Sequence, residues 1–300
     1  MPREIIYIIN PISGTRTKKD LRLFIEKQTT DRGINFEIFP SLASGDYSFL
    51  HEYIREKKIT DVVIAGGDGT VSQVVGSLMQ TKVDFGIIPC GSGNGLAYAA
   101  GIPRKPAGAL DIIFNGKAKL TDGFYINGRF ACMLSGLGFD AKVAHDFAQQ
   151  STRGLATYVT QVLKNFLSAK TYPFELLIHK RKLNTDAFFI SIANSNQFGN
   201  NFTIAPSASL TDGLLDIVIM TDQNKLNLLL QTFKQVTGKN KPIPQSAIKK
   251  EKGIIYFQTD SLTIRNPGQA PLHIDGDPAE TIDEMEIEIK KKCFRLLQPV

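Results

Sequence analysis

One arrangement occurs twice in the first third of the chain: a short apolar run, a glycine-rich turn, then a helical pattern. Asp61 to Ala65 leads into Gly66-Gly67-Asp68-Gly69-Thr70 and the helical stretch Val71 to Leu78. Phe85 to Pro89 leads into Cys90-Gly91-Ser92-Gly93-Asn94-Gly95-Leu96. Apolar runs without alternation are too short for helices and suit strands buried on both faces of a parallel sheet, whose crossovers are helices. The residues before them fit the same plan. Ile5 to Ile9 reads as a buried strand, Lys18 to Thr30 as an amphipathic helix with Leu21, Phe24 and Ile25 on one face, Phe36 to Phe39 as a strand and Tyr47 to Lys57 as a helix. The expected class is α/β, a doubly wound N-terminal domain whose ligands lie beyond the carboxyl ends of its strands.

From about residue 122 the pattern changes to short strands with hairpin signals. Phe124 to Ile126, the turn Asn127-Gly128 and Arg129 to Leu134 form the first hairpin. Phe174 to His179, Ala187 to Ala193, Leu215 to Met220, Gly253 to Phe257 and Ser261 to Ile264 continue a C-terminal, mostly antiparallel β domain. Helical patterns are expected near Gly154 to Ser168 and Asn224 to Val236, and a surface loop at Thr237 to Lys252. The division is 1–121 and 122–300, with the last segment packing back on the first domain.

With 42% hydrophobic and 21% charged residues in 300, the composition excludes disorder. No run approaches the roughly 18 apolar residues of a membrane span. The apolar stretch near the N-terminus ends at Asn10-Pro11, too short for a signal peptide, so a cytoplasmic location is expected. Cys90, Cys132 and Cys293 lack both disulfide-framework and zinc-site spacing and read as buried thiols. A net charge of +6 suits polyphosphates, anionic lipid headgroups or nucleic acid without choosing among them.

The chemistry lies in the turns. Glycines flanking Asp68 let backbone N–H groups approach anionic oxygens at the positive end of the next helix, a phosphate cradle with a carboxylate inside it. A tight turn in which Asp68 merely caps its helix is the plainer reading. The second turn has glycines at alternate positions, so neither a G-x-G-x-x-G dinucleotide turn nor a Walker loop fits. A third polar turn, Asn10 to Arg16, follows the first strand. Asp212-Gly213 alone is an ordinary turn pair, and Asp122 alone a turn residue before Gly123. Asp275, Asp277 and Glu286 imitate a calcium loop, but Glu280 stands where such a loop needs glycine.

Taken in order, Asn-Pro-x-Ser-Gly at 10–14, Gly-Gly-Asp-Gly-Thr at 66–70, Pro-x-Gly-Ser-x-Asn at 89–94, Asp-Gly-Leu-Leu-Asp at 212–216 and Asp-Gly-Asp-Pro at 275–278 resemble the diacylglycerol kinase and sphingosine kinase family over the whole chain. The resemblance implies an ATP site built from Asn10, Ser13, Gly14, Thr15, Ser41, Gly66, Gly67, Asp68, Gly69, Thr70 and Ser92. It implies a Mg²⁺ site at Asp212 with Ser209 and Leu214, Asp122 in a carboxylate network, and Asp277 as general base on the lipid hydroxyl. Its expected partners are a lipid at a membrane surface, met peripherally, with no nucleic acid and room for a homodimer. Diacylglycerol is the first acceptor, with sphingoid bases and phosphatidylglycerol as alternatives.

This chain departs from the family pattern at Ser41 for Thr, Ser72-Gln73 for Asn-Glu, Asn94-Gly95 for Asn-Asp and Asp277 for Glu. The plainer reading of Asp277 is a turn cap before Pro278. An NAD kinase-like enzyme is the nearest rival, but its Asn-Glu pair is missing, and a sensor that binds without turnover is the non-enzymatic one.

Overall fold

The structure, a computed structural model, describes residues 2–12, 18–139, 141, 170–199, 202–221, 240–249 and 253–300. The chain divides into two compact units, Met1–Thr121 with Lys292–Val300, and Asp122–Lys291. The first contains β1 (Glu4–Ile9), α1 (Lys18–Thr30), β2 (Asn35–Pro40), α2 (Leu50–Lys57), β3 (Asp61–Gly66), α3 (Asp68–Leu78), β4 (Asp84–Pro89), α4 (Gly95–Ala99) and α5 (Pro106–Asn115). Then come β5 (Lys117–Ile126), β6 (Arg129–Ala131), β7 (Leu134–Gly138), β8 (Tyr172–Ile178), β9 (Arg181–Ala193), β10 (Gln197–Gly199), β11 (Phe202–Thr203) and β12 (Leu215–Thr221). The last strands are β13 (Ile254–Thr259), β14 (Ser261–Arg265), β15 (Leu272–Ile274), β16 (Asp277–Ala279) and β17 (Glu284–Gln298).

In the first unit β1 lies between β2 and β3, β3 pairs with β4, and Arg295 and Leu296 of β17 pair with Asp84 and Phe85, all in parallel. All six residues of β3 are buried, which explains its unbroken apolar run. Helix α3 buries Val71, Val74, Val75 and Leu78, the i, i+3, i+4, i+7 stripe of a helix packed on a sheet. Arg3 ties the opposite end together: its guanidinium meets Asp61 at 2.6 Å and donates to the carbonyls of Ile113 and Phe114 at the end of α5. The polar turns after β1, β2, β3 and β4 therefore share the carboxyl edge of one sheet.

The second unit is antiparallel. The long strand β9 pairs with β8 along Arg181–Ala187 and with both β7 and β12 along its second half. Strands β8, β14 and β17 continue one side, β7, β15 and β16 the other, and β13 flanks β12. Phe124, Phe174, Leu176, Ile190, Ile192, Ile217, Phe257, Ile264 and Met285 belong to a single buried cluster.

The observed elements differ from the expected ones in instructive places. The expected helix at Tyr47 begins at Leu50, and the helix expected at Val71 begins at Asp68. The strand expected over Arg129 to Leu134 breaks at Cys132-Met133, whose N–H groups turn to a carboxylate instead of a neighbouring strand. Helix α5 and strands β15 to β17 were not anticipated, although Met285, Ile287 and Ile289 alternate with charged residues along β17. The helices expected at Gly154 to Ser168 and Asn224 to Val236 lie outside the described residues. Of the expected loop at Thr237 to Lys252, the described part holds a short 3-10 turn, Gln245–Ala247, and a bridge from Ile243 to Phe257. Among the described residues no helix is long and apolar enough to cross a membrane.

Candidate functional site

At the carboxyl edge of the first unit the turns are fastened to one another through the backbone. The Asn10 N–H donates to Ala65, that of Ser41 to Ile9 and that of Cys90 to Gly66, each at 2.9 Å. Asn10 adds a side-chain bond, its Nδ2 donating to Thr70 Oγ1 at 2.8 Å. These contacts bring Asn10, Ser41, Gly66 and Thr70 together. Ser13, Gly14 and Thr15 lie outside the described residues.

The two glycine turns touch. A Cβ on Gly91 would stand 2.7 Å from the Gly67 Cα, so neither position has room for a side chain while both turns keep their places. Asn94, in the left-handed region at φ 59°, brackets its own turn by accepting from the Gly91 N–H and donating to the Gly91 carbonyl, both at 2.8 Å. Gly67 is the N-cap of α3, and Asp68 opens its first turn. The Asp68 carboxylate reaches across to accept the Leu96 N–H of α4 at 3.3 Å. Asp68 is thus not the cap of its own helix; it joins two turns and sets a negative charge at the N-terminus of α3. Gly69 and Ser92 are half-buried beside it. The first N–H groups of α3 have no intrahelical acceptors, the arrangement that receives anionic oxygens.

Carboxylates dominate the second unit. Asp122 is fully buried; its N–H donates to the Leu210 carbonyl and its Oδ2 accepts the Gly213 N–H, both at 2.8 Å. Gly213, at φ 73°, allows that approach. Asp212 accepts the Leu214 N–H at 3.1 Å. Although its residue is exposed overall, the Asp212 carboxyl is pushed above the ordinary value, first by desolvation and further by the charge of Asp122. Asp122, Asp212 and Leu214 therefore meet around one loop, with Ser209 at its start. Among the described residues no three metal-ligating side chains cluster. Any cation held here would take carbonyl oxygens beside the carboxylate.

Asp275 and Gly276, at φ 49° and 83°, form the two left-handed central residues of a hairpin between β15 and β16, the Asp-Gly pair that such turns prefer. The buried Asp275 carboxylate accepts the N–H groups of Cys132, Met133 and Leu134 at 2.8, 3.0 and 2.9 Å. Asp277 opens the return strand and is half-buried. The central residues of the turn are Asp275 and Gly276, and Asp277 follows them.

Sequence reading missed Asp216 and Asn194. Fully buried Asp216 accepts from the Tyr256 hydroxyl and, at 3.0 Å, from Gln258 Nε2. Burial pushes its carboxyl up to about 6, its two hydrogen bonds opposing. The Tyr256 hydroxyl also accepts the Ser207 N–H at 3.0 Å and is itself pushed up, first by burial. Asp216 belongs to the Asp-Gly-Leu-Leu-Asp run, a usable signal. Nothing in the local sequence pointed to Tyr256 or Asn194.

Two family models match the chain: the diacylglycerol kinase catalytic domain over residues 4–126 and the YegS C-terminal NAD kinase beta sandwich-like domain over 134–292. A protein named "Probable lipid kinase YegS-like" from Shewanella frigidimarina is 26% identical, covering 90% of this chain and 86% of the relative. A diacylglycerol kinase of Bacillus subtilis is 24% identical over 90% of this chain and 88% of its own. The crystal structure of a diacylglycerol kinase from Bacillus anthracis superposes with a TM-score of 0.70 at 19% identity, covering 99% of this chain and 97% of that one. Another structure from the same organism reaches 0.76 at 20% identity. These structures share the fold.

Two expectations follow from the geometry. Asp68→Asn keeps an acceptor for Leu96 while removing the charge, so its melting point should stay near wild type, whereas Asp68→Ala should lose about 1 kcal/mol with that acceptor. In both, turnover should fall further than ATP affinity; equal losses would reduce Asp68 to a turn-holding role. Asp216 has a folded value raised above its ordinary 3.8, so folding favours its neutral form. Its contribution to stability is complete below about pH 4 and fades as pH rises through about 6. In chelator-containing buffer the melting point of Asp216→Asn should therefore gain on wild type between pH 4 and 6, by the equivalent of about 1–3 kcal/mol. A constant difference across that window would refute it.

Proposed function

Since the chain belongs to the family of lipid kinases that join a diacylglycerol kinase catalytic domain to a YegS-type C-terminal domain, we propose that it transfers the γ-phosphoryl group of ATP to a lipid hydroxyl, with diacylglycerol as first acceptor and phosphatidic acid as product. The observation that supports this best is the pair of glycine turns in contact at Gly67 and Gly91, where main chain meets main chain beside the N-terminus of α3. Backbone N–H groups there hold the phosphates without side-chain rearrangement, with Asn10, Ser41, Thr70 and Ser92 beside them and Ser13, Gly14 and Thr15 following Asn10 in the chain. The lipid acceptor resides in a membrane, which the chain meets peripherally from the cytoplasm.

Catalysis in phosphoryl transfer is chiefly positioning and charge neutralisation. Asp277 accepts the proton of the acceptor hydroxyl. The reach lost from Glu to Asp is roughly 1.5 Å by covalent geometry, and Asp277 stands directly after the tip of the β15–β16 hairpin. Asp275 is the weaker choice for the role, because three N–H groups already occupy most of its carboxylate lone pairs. Ser209, Asp212 and Leu214 would hold Mg²⁺ through the Asp212 carboxylate and carbonyl oxygens. The fit rests on hard oxygen donors and on a setting in which burial first, and the Asp122 charge after it, raise the Asp212 carboxyl. A cation bound there supplies a fixed positive charge beside Asp122.

Labelled ATP with Mg²⁺ and a panel of diacylglycerol, sphingosine, phosphatidylglycerol and NAD decides the substrate. Label should enter phosphatidic acid. Label in NAD would favour the NAD kinase-like reading, and ATP binding without any product the sensor. In the same assay Asp277→Asn should lose about 10²–10⁴-fold in rate at unchanged ATP affinity, and Asp277→Glu should keep a measurable part. Near wild-type turnover in Asp277→Asn would move the base elsewhere. Added Mg²⁺ should raise the melting point of wild type by binding the native state, and should not raise that of Asp212→Ala. Equal responses would remove Asp212 from the cation site.

A further inference from the structure

Asn194 directly follows β9 and is fully buried. Its Nδ2 donates to the carbonyls of Asp122 and Cys132 at 2.8 and 2.9 Å. Two carbonyl acceptors can be met only by the amide's NH₂ group, which uses both of its hydrogens here. The Asn194 and Ser195 N–H groups both donate to the Met133 carbonyl, at 2.9 and 3.0 Å.

Those bonds meet the Asp275 bonds on shared peptide planes. The Cys132 carbonyl and the Met133 N–H belong to one peptide group, and the Met133 carbonyl and Leu134 N–H to the next. In each plane Asn194 holds the oxygen, and the Asp275 carboxylate takes the hydrogen on the other side. A peptide group is planar and stiff, so fixing its oxygen fixes the direction of its N–H. The same Nδ2 holds the Asp122 carbonyl, and Asp122 in turn holds Leu210 and Gly213.

We propose that Asn194 is a positioning residue that couples two elements through one amide: the Asp275-Gly276 turn carrying Asp277, and the Leu210–Leu214 loop carrying Asp212. This rests on the roles given above to Asp277, Asp122 and Asp212. Asn194 touches neither ATP nor acceptor in this account. It acts by holding both carboxylate elements to a common reference, where a displacement near 1 Å is costly to rate.

The test compares Asn194→Leu with Ile192→Ala, a cavity-forming change in the same strand that touches none of these bonds. Amide hydrogen exchange at Met133, Leu134 and Gly213 is read alongside kinetics on the full-length protein. At matched overall stability, Asn194→Leu should speed exchange at Met133 and Gly213 by about tenfold, the worth of one or two lost hydrogen bonds, and leave Leu134 protected, because the backbone N–H groups of residues 194 and 195 still hold its peptide oxygen. Its kcat should fall by about 10²-fold with the KM for ATP unchanged, while Ile192→Ala keeps both. Asn194→Ser, smaller and left with one short hydroxyl donor that cannot hold both carbonyls, serves if the leucine variant does not fold. Unchanged protection at Gly213, or equal kcat in Asn194→Leu and Ile192→Ala, would overturn the coupling. If wild type phosphorylates no lipid, the functional reading falls on its own, and the exchange data alone decide whether the two elements are coupled.

Discussion

A chain leaving the end of a strand carries N–H and C=O groups that the sheet no longer satisfies, and burying them unpaired costs about as much as a lost hydrogen bond. Every turn of interest here meets that constraint with one side chain. Asn94 brackets the turn at Gly91, Asp68 takes the Leu96 N–H, Asp122 takes Gly213, and Asp275 takes three N–H groups at the break between β6 and β7. These bonds hold the loops in irregular shapes that no ladder would maintain. The regular elements supply the walls; short polar side chains supply the shape of the site.

The carboxylates of the second unit divide accordingly. Asp275 accepts three backbone N–H groups, Asp216 is held by Tyr256 and Gln258 in a setting that favours its neutral form, and Asp212 accepts the Leu214 N–H beside the charge of Asp122. Residues of one type in one unit thus differ in what their lone pairs have already accepted. Chemical competence follows from what each carboxylate has already accepted, more than from its place in a motif.

How much was legible in advance depended on separation along the chain. β1, β3 and β4 could be read because each is an unbroken apolar run, and α1 because Leu21 and Ile25 recur at helical spacing and are buried. The two-domain α/β plan and the family were legible for the same reason, since each motif is a few adjacent residues. The second unit's supports were hidden by distance: Asp216 meets Tyr256 across 40 positions, Asn194 meets Asp122 across 72, and Asp275 meets Cys132 across 143. The break at Cys132-Met133 was invisible because its cause sits near the far end of the chain. The start of α3 was misplaced because glycine at 67 and 69 hides a helix that begins at Asp68.

The strand that pairs with the outer side of β4 comes from Lys292–Val300, while β1 to β4 are complete by Pro89. During synthesis the whole of 122–291 must leave the ribosome before Arg295 and Leu296 can pair with Asp84 and Phe85. Until then β4 is an outer strand with open backbone groups, the kind of surface on which nascent chains adhere to one another. The charged pair Asp84 and Arg295, at 2.5 Å, sits at that seam and places a carboxylate on the waiting strand. A negative charge on an open strand discourages wrong partners, and the arginine that completes the sheet also neutralises it.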